Sequence, residues 1–277
     1  MEAIIMSFKL KEKQEAMKQA AIEYVSGETS MERIQQILHK YNISYASLFN
    51  SIKRYNLEYN KTYGRRVFFN EDYFANINSE DKAYWLGFIF ADGNVKKTSS
   101  KCDKVNRLTI GISIKDQQHL EKFKSTIGHT GELYIEHHKK SYSTTPICYL
   151  HCNSIKMCED LAKLNCLPSK TGYSNLPNIP QELLRHFIRG YFDGDGSISP
   201  YIFQITSNEN ILNQINNIIS SALNVPLGKI RFYQRTNKAV DLRYIGKDLM
   251  PTIFHYLYDN ATVFLERKYD AFLLITQ

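Results

Sequence analysis

Trp85-Leu-Gly-Phe-Ile-Phe-Ala-Asp-Gly93 and Ile188-Arg-Gly-Tyr-Phe-Asp-Gly-Asp-Gly196 are two copies of one pattern. Each sets an aromatic-rich apolar run with a glycine inside it (Gly87, Gly190) ahead of an acidic-glycine ending (Asp92-Gly93, Asp195-Gly196). An internal repeat at domain spacing means two similar half-domains, each placing one carboxylate at the same position. Two carboxylates brought side by side repel unless cations lie between them. A pair at the ends of two apolar helices is therefore a place to hold divalent ions at a central seam.

The segments after the two copies are also alike. After the first, residues 82–90 read as a helix, and Leu108, Ile110, Ile112 and Ile114 alternate with polar neighbours as a strand does. Leu120, Phe123 and Ile127 mark a helix closing at Gly128. Strand-like pieces lie at 132–136 and 147–151, and Met157, Leu161 and Leu164 mark another helix. After Pro180 the order repeats: a helix at 181–192, a strand through Phe203 and Ile205, and a helical stripe from Ile211 to Ile219. A hairpin at 229–234 and 239–244 comes next, then a helix through Leu249, Ile253 and Leu257, and a final helix at 261–275. Both halves read α-β-β-α-β-β-α, the first strand being the shortest. The small residues Gly87, Ala91, Gly190 and Gly194 would let the two repeat helices approach closely.

Residues 10–55 read as three short helices. Met17, Ala20, Ala21, Tyr24 and Val25 form the first stripe, and Ile34, Ile37 and Leu38 the second, capped by Thr29 or Ser30. Ser44 caps a third helix bearing Leu48 and Ile52. Two short helices on a tight turn, with Tyr45, Ser47, Asn50, Lys53 and Arg54 on the second, resemble a helix-turn-helix. Residues 56–80 read as a basic, aromatic linker with Lys61, Arg65 and Arg66 bunched together.

The chain of 277 residues carries a formal charge of +7, which favours a polyanionic partner. Five cysteines form no even framework, and Cys148 and Cys152 with His151 between them lack the second pair a zinc site needs. They read as free thiols in a reducing compartment. No apolar run approaches a membrane span and no signal peptide opens the chain, so the expectation is a soluble, intracellular protein. Asp193-Gly-Asp195-Gly-Ser197 begins like a calcium-binding loop, but Ile198 and Gln204 stand where that loop needs its glycine and its glutamate.

The two motifs resemble the paired signature of the LAGLIDADG homing endonucleases. Trp85 and Ile188 stand where the motif opens, Gly87 and Gly190 at its first glycine, and Asp92 and Asp195 at its catalytic acid. Phe90 departs from the acidic residue usual two places earlier, which Asp193 keeps. The resemblance runs from about residue 75 to the C-terminus.

It implies an α+β fold of two pseudo-symmetric αββαββα half-domains, 81–170 and 171–277, with antiparallel, saddle-like DNA-binding sheets. A small all-α helix-turn-helix-like module, 1–55, precedes them. It further implies a monomeric enzyme hydrolysing phosphodiester bonds of double-stranded DNA at a long, asymmetric site. Magnesium would be the cofactor, with manganese or calcium able to occupy the same positions. The ligands would be Asp92, Asp195 and the carbonyls of Ala91 and Gly194. Lys170 and Lys268, placed after the first and second repeat, are the expected charge-stabilising residues, with Arg267 next. Thr109, Ser113, Lys115, Gln204, Thr206, Arg231, Gln234, Arg235 and Arg243 are the expected DNA-reading residues of the sheets. The same resemblance leaves open an RNA-binding intron maturase or a DNA-binding regulator that does not cut.

Overall fold

A computed structural model of the protein describes residues 2–26, 31–58, 67–100, 102–137, 145–168, 175–232 and 239–276. The chain divides into two compact units, Met1–Phe68 and Phe69–Gln277.

The first unit is three helices: α1 (Glu2–Val25), α2 (Met31–Lys40) and α3 (Tyr45–Arg54). α1 begins earlier than its apolar stripe suggested, because no glycine or proline interrupts its 24 residues. Ala20, Ala21 and Tyr24 pack with Ile34, Ile37, Leu48 and Ile52 in a separate small core. α2 stops where Asn42 turns into the left-handed region (φ 49°), a conformation asparagine tolerates better than most residues. The Ser44 hydroxyl then accepts the Ser47 N–H at 3.1 Å, a cap worth about 1 kcal/mol. Thr29 and Ser30 lie outside the described residues.

The second unit contains two four-stranded antiparallel sheets. α4 (Glu80–Asp92) leads into β1 (Gly93–Lys96) and β2 (Arg107–Ser113), then α5 (Gln117–Thr126), β3 (Tyr134–Glu136), β4 (Ile147–Asn153) and α6 (Ile155–Lys163). α7 (Leu184–Asp195) leads into β5 (Gly196–Ser199) and β6 (Ile202–Asn208), then α8 (Glu209–Leu223), β7 (Lys229–Phe232), β8 (Ala239–Ile245), α9 (Leu249–Tyr258) and α10 (Glu266–Thr276). The sheets have matching orders, β1-β2-β4-β3 and β5-β6-β8-β7. Alternation decides which face is buried: Leu108, Ile110 and Ile112 of β2, like Phe203 and Ile205 of β6, point into one large core.

Three expectations need correction. Residues 69–80 are not wholly a linker, because Tyr73, Phe74 and Ile77 are buried in the large core. The last helix starts at Glu266 instead of 261, since carboxylates of the two repeat helices take the backbone donors before it. Thr262 N–H goes to Glu80 and Leu265 N–H to Asp193. The first turn of the second repeat helix, Gln181–Leu183, is a 3-10 turn.

Cys148 and Cys152 point into the core from β4 while His151, between them, takes the opposite face, so the three cannot share a metal. No helix among the described residues is long and apolar enough to cross a membrane.

Candidate active site at the helix seam

α4 and α7 meet more closely than side chains would allow. A methyl group added at Gly87 would stand 2.0 Å from the Phe187 carbonyl oxygen, and one at Gly190 would stand 1.9 Å from that of Tyr84. The relation is reciprocal, each glycine admitting the other helix's backbone. Near the C-terminal ends, a methyl at Gly194 would meet the Ala91 methyl at 2.3 Å and Asp92 Oδ2 at 3.3 Å. Asp92 and Asp195, the last residues of the two helices, therefore come to one seam. Asp92 is half-buried and Asp195 exposed.

Electrostatics make this junction costly. A helix C-terminus carries partial negative charge from its unpaired carbonyls and disfavours an acid. Two such ends, each bearing a carboxylate, concentrate negative potential here. Part of the compensation is Lys268 on α10. It is buried, and its ammonium donates to the carbonyls of Phe192 (2.6 Å), Gly194 (3.2 Å) and Gly196 (2.7 Å), capping α7. Burial pulls its pKa down to about 8; Asp193, Asp92 and Asp195 act in the opposite direction. Both seam carboxylates are thus within electrostatic reach of one ammonium.

Asp193, near the end of α7, is fully enclosed. It accepts from Tyr84 (2.7 Å), Tyr258 (2.7 Å) and the Leu265 N–H (2.8 Å). Burial pushes its pKa up against these donors. Asp193 thereby ties α4, α9 and the segment before α10 to α7.

Beside Asp92 and Gly194 a cleft of about 460 Å³ opens, also lined by Ser113, Lys115, Asp116 and Arg267. Arg267 grips Asp116 with two hydrogen bonds (3.1 and 2.9 Å), joining α10 to the turn after β2. Lys115 is exposed at this cleft. Ser113 accepts the Lys115 N–H at 3.3 Å and so shapes the turn.

The oxygens at the seam, the carboxylates of Asp92 and Asp195, are hard donors, while the Gly194 carbonyl is engaged by Lys268. They suit magnesium, manganese or calcium and not zinc. Among the described residues no three His, Cys, Asp or Glu side chains gather as a metal site. A cation here would complete its shell with carbonyls, water and a bound anion.

The strand residues divide by register. On the outer face of the first sheet, Thr109 pairs with His151 and Asn94, and its hydroxyl lies 3.0 Å from His151 Nδ1. Thr109 is thereby covered, at 7% exposure. On the second sheet Gln204 pairs with Arg243, and Thr206 with Asp241. Arg231 and Lys229 stand beside them on β7. In the first unit Asn50, Lys53 and Arg54 are exposed on α3, Ser47 bonds Ser44, and Tyr45 opens the helix. Lys170, Arg65, Arg66, Gln234 and Arg235 lie outside the described residues.

Sequence reasoning missed Asp193 as a hub, Asp241 as a buried acid under Arg243, and His151 over Thr109. The strand alternation carried a signal for the last two, since Asp241 and His151 share a face with residues already chosen.

No protein-family model matches the chain, and no curated protein matches it in sequence. Solved structures do resemble it. The I-LtrWI LAGLIDADG homing endonuclease bound to target DNA matches with TM-score 0.45 and 14% identity, over 75% of this chain and 90% of that one. The LAGLIDADG homing endonuclease I-GzeII in complex with its DNA target matches with TM-score 0.47 and 15% identity, over 70% and 88%. I-DmoI in complex with DNA and Mn matches with TM-score 0.46 and 16% identity, over 69% and 98%.

Proposed function

We propose that this chain is a double-strand DNA endonuclease of the LAGLIDADG homing type, cutting at one long asymmetric site with divalent metal ions. One observation carries the proposal: two acid-tipped helices, locked together by reciprocal glycines, end side by side over a negatively charged seam. Such a seam is electrostatically costly to the fold, and an ion-dependent reaction gives it a use.

In this reading Asp92, Asp195 and the carbonyls of Ala91 and Gly194 hold the cations. A divalent ion there, magnesium by expectation, supplies charge against the scissile phosphate and makes water a competent nucleophile. Lys268 fixes the end of α7, and with it the aim of Asp195 and the Gly194 carbonyl. Lys115 and Arg267 beside the cleft, and Lys170 as the first-repeat counterpart of Lys268, attract and neutralise phosphate. No side chain is assigned as general base. The two half-domains, 81–170 and 171–277, relate by a pseudo-twofold axis, and each sheet reads one half-site. Because the sheets carry different side chains, the half-sites differ, and one copy of the chain suffices. The first unit adds a helix-turn-helix contact through Tyr45, Ser47, Asn50, Lys53 and Arg54, with Arg65 and Arg66 tracking the backbone.

The test is cleavage of a randomised pool of duplex DNA with magnesium, capturing and sequencing the ends. Wild type should release staggered ends at one sequence, and Asp92→Asn and Asp195→Asn should bind that sequence without double-strand cutting. Specific binding with no metal-dependent cutting by wild type would leave a regulator instead.

A further inference from the structure

The outer faces of the two sheets differ in chemistry. The first carries a row of rings across three residues: Tyr134 on β3, with Tyr149 and His151 on β4. Tyr149 and His151 stack at 5.9 Å with planes 10° apart, and Tyr134 lies 6.3 Å from both. Gly111 on β2 makes room for this row, since a methyl there would meet the Tyr149 ring at 2.4 Å. Tyr134 is 56% exposed. Burial, and the nearby charges of Arg107 and Lys96, lower the pKa of His151.

Among the described residues, the second sheet carries no ring at the corresponding centre. Arg243 and Asp241 on β8 face Gln204 and Thr206 on β6 and Lys229 and Arg231 on β7. Asp241 is 1% exposed; it accepts from the Thr206 hydroxyl (2.8 Å) and from Arg243 Nη2 (2.9 Å). A buried acid bonded to Nη2 restricts where that guanidinium points, which favours its use for bidentate reading of guanine O6 and N7. Apolar and aromatic surface offered to the major groove instead favours the thymine methyl.

Resting on the endonuclease reading above, we infer that the two half-sites have opposite character. The half under the first sheet is read through thymine methyl groups packed on Tyr134 and Tyr149. The half under the second is read through guanine, by Arg243 held on Asp241.

The full chain is first used to enrich tight-binding duplexes from a randomised pool in calcium. In the enriched duplex, thymidine is then replaced by deoxyuridine, or guanine by 7-deazaguanine, in one half at a time. Each lost methyl should weaken binding roughly fourfold in one half only, and each lost N7 about tenfold in the opposite half only. Tyr134→Ala, at an exposed position, should reduce the methyl sensitivity and leave the deazaguanine effect intact. Arg243→Gln should do the reverse. Thermal unfolding checks both folds, and the base analogues with wild type need no variant. Equal sensitivity of the halves, or methyl sensitivity unmoved in Tyr134→Ala, overturns the inference alone. A pool yielding no enriched duplex overturns the endonuclease reading and this inference with it.

Discussion

The Arg189 guanidinium donates to the Glu80 carboxylate at 2.6 Å, tying the middle of α7 to the first turn of α4. Arg189 is wholly buried and also donates to His186 Nδ1 and the carbonyls of Leu257 and Val263. An enclosed cation that loses its anionic partner is far costlier than an exposed one. Glu80→Ala should therefore destabilise the second unit by about 3 kcal/mol, lowering the midpoint of urea unfolding. Lys40→Ala, which breaks an exposed pair with Glu23 in the first unit, should leave that midpoint in place. Equal shifts for the two variants would refute the role given to Arg189.

His119 supplies a pH signature. It lies among Tyr84, Trp85 and Phe88, its Nε2 is 2.9 Å from the Tyr84 hydroxyl, and its Nδ1 has no hydrogen-bond partner among the described residues. Tyr84 donates to Asp193, so the hydroxyl oxygen receives its second bond from His119 Nε2–H. Burial depresses the pKa to about 4 from the ordinary 6.5. The unfolded chain thus takes up a proton that the folded chain refuses, and stability falls as pH drops from 6.5 towards 4. Asp193, shifted upward by burial, contributes the opposite slope, so a single-residue comparison is needed. Between those limits the pH slope of unfolding free energy should be shallower in His119→Gln by about one proton. Identical slopes in urea titrations of the two proteins would rule this out.

The repeat helices, the sheet strands and the apolar faces were legible because each rests on local periodicity. Alternation at Leu108, Ile110 and Ile112 turns one face of β2 into the core, and an acidic-glycine ending is a helix-stop signal in both repeats. The polar interior was not legible. Lysine reads as surface on any scale of burial, yet Lys268 is buried because the carbonyls that end α7 converge on it, a fact of tertiary geometry. Arg189 and Asp193 likewise stand in an apolar run whose neighbours in space come from α9 and the segment before α10. Asn224 ends α8 in the left-handed conformation, a signal that was present but weaker than glycine would give.

The end of the seam can be tested by moving one methyl group. Gly194→Ala places a carbon 2.3 Å from the Ala91 methyl, so the helix ends must separate, at about 1–3 kcal/mol. Ala91→Gly in the same chain vacates that space. The double variant should recover most of the lost stability in urea unfolding. Additive losses would mean the two positions do not touch.

Removing residues 1–68, the whole first compact unit, should weaken affinity for the target duplex while leaving the cut positions unchanged. Fluorescence anisotropy measures the first and sequencing of cleaved ends the second. Equal affinity in the truncated protein would exclude a DNA contact by the three-helix unit.

The carboxylates at the seam should trade stability for ion binding. Asp92 and Asp195 each end a helix at its negative pole, so neutralising both removes two unfavourable terms of a few tenths of a kcal/mol to about 1 kcal/mol each. Without divalent ions, Asp92→Asn with Asp195→Asn should unfold about 2–4 °C above wild type. Millimolar calcium should then raise the midpoint of wild type, because an ion bound only by the folded state stabilises it by mass action. It should leave the double variant where it was. This measurement needs neither DNA nor cleavage, so it separates the cation site from everything downstream of it. A double variant less stable than wild type without ions, or one equally stabilised by calcium, would mean that the acids serve the packing of α4 and α7 and hold no ion.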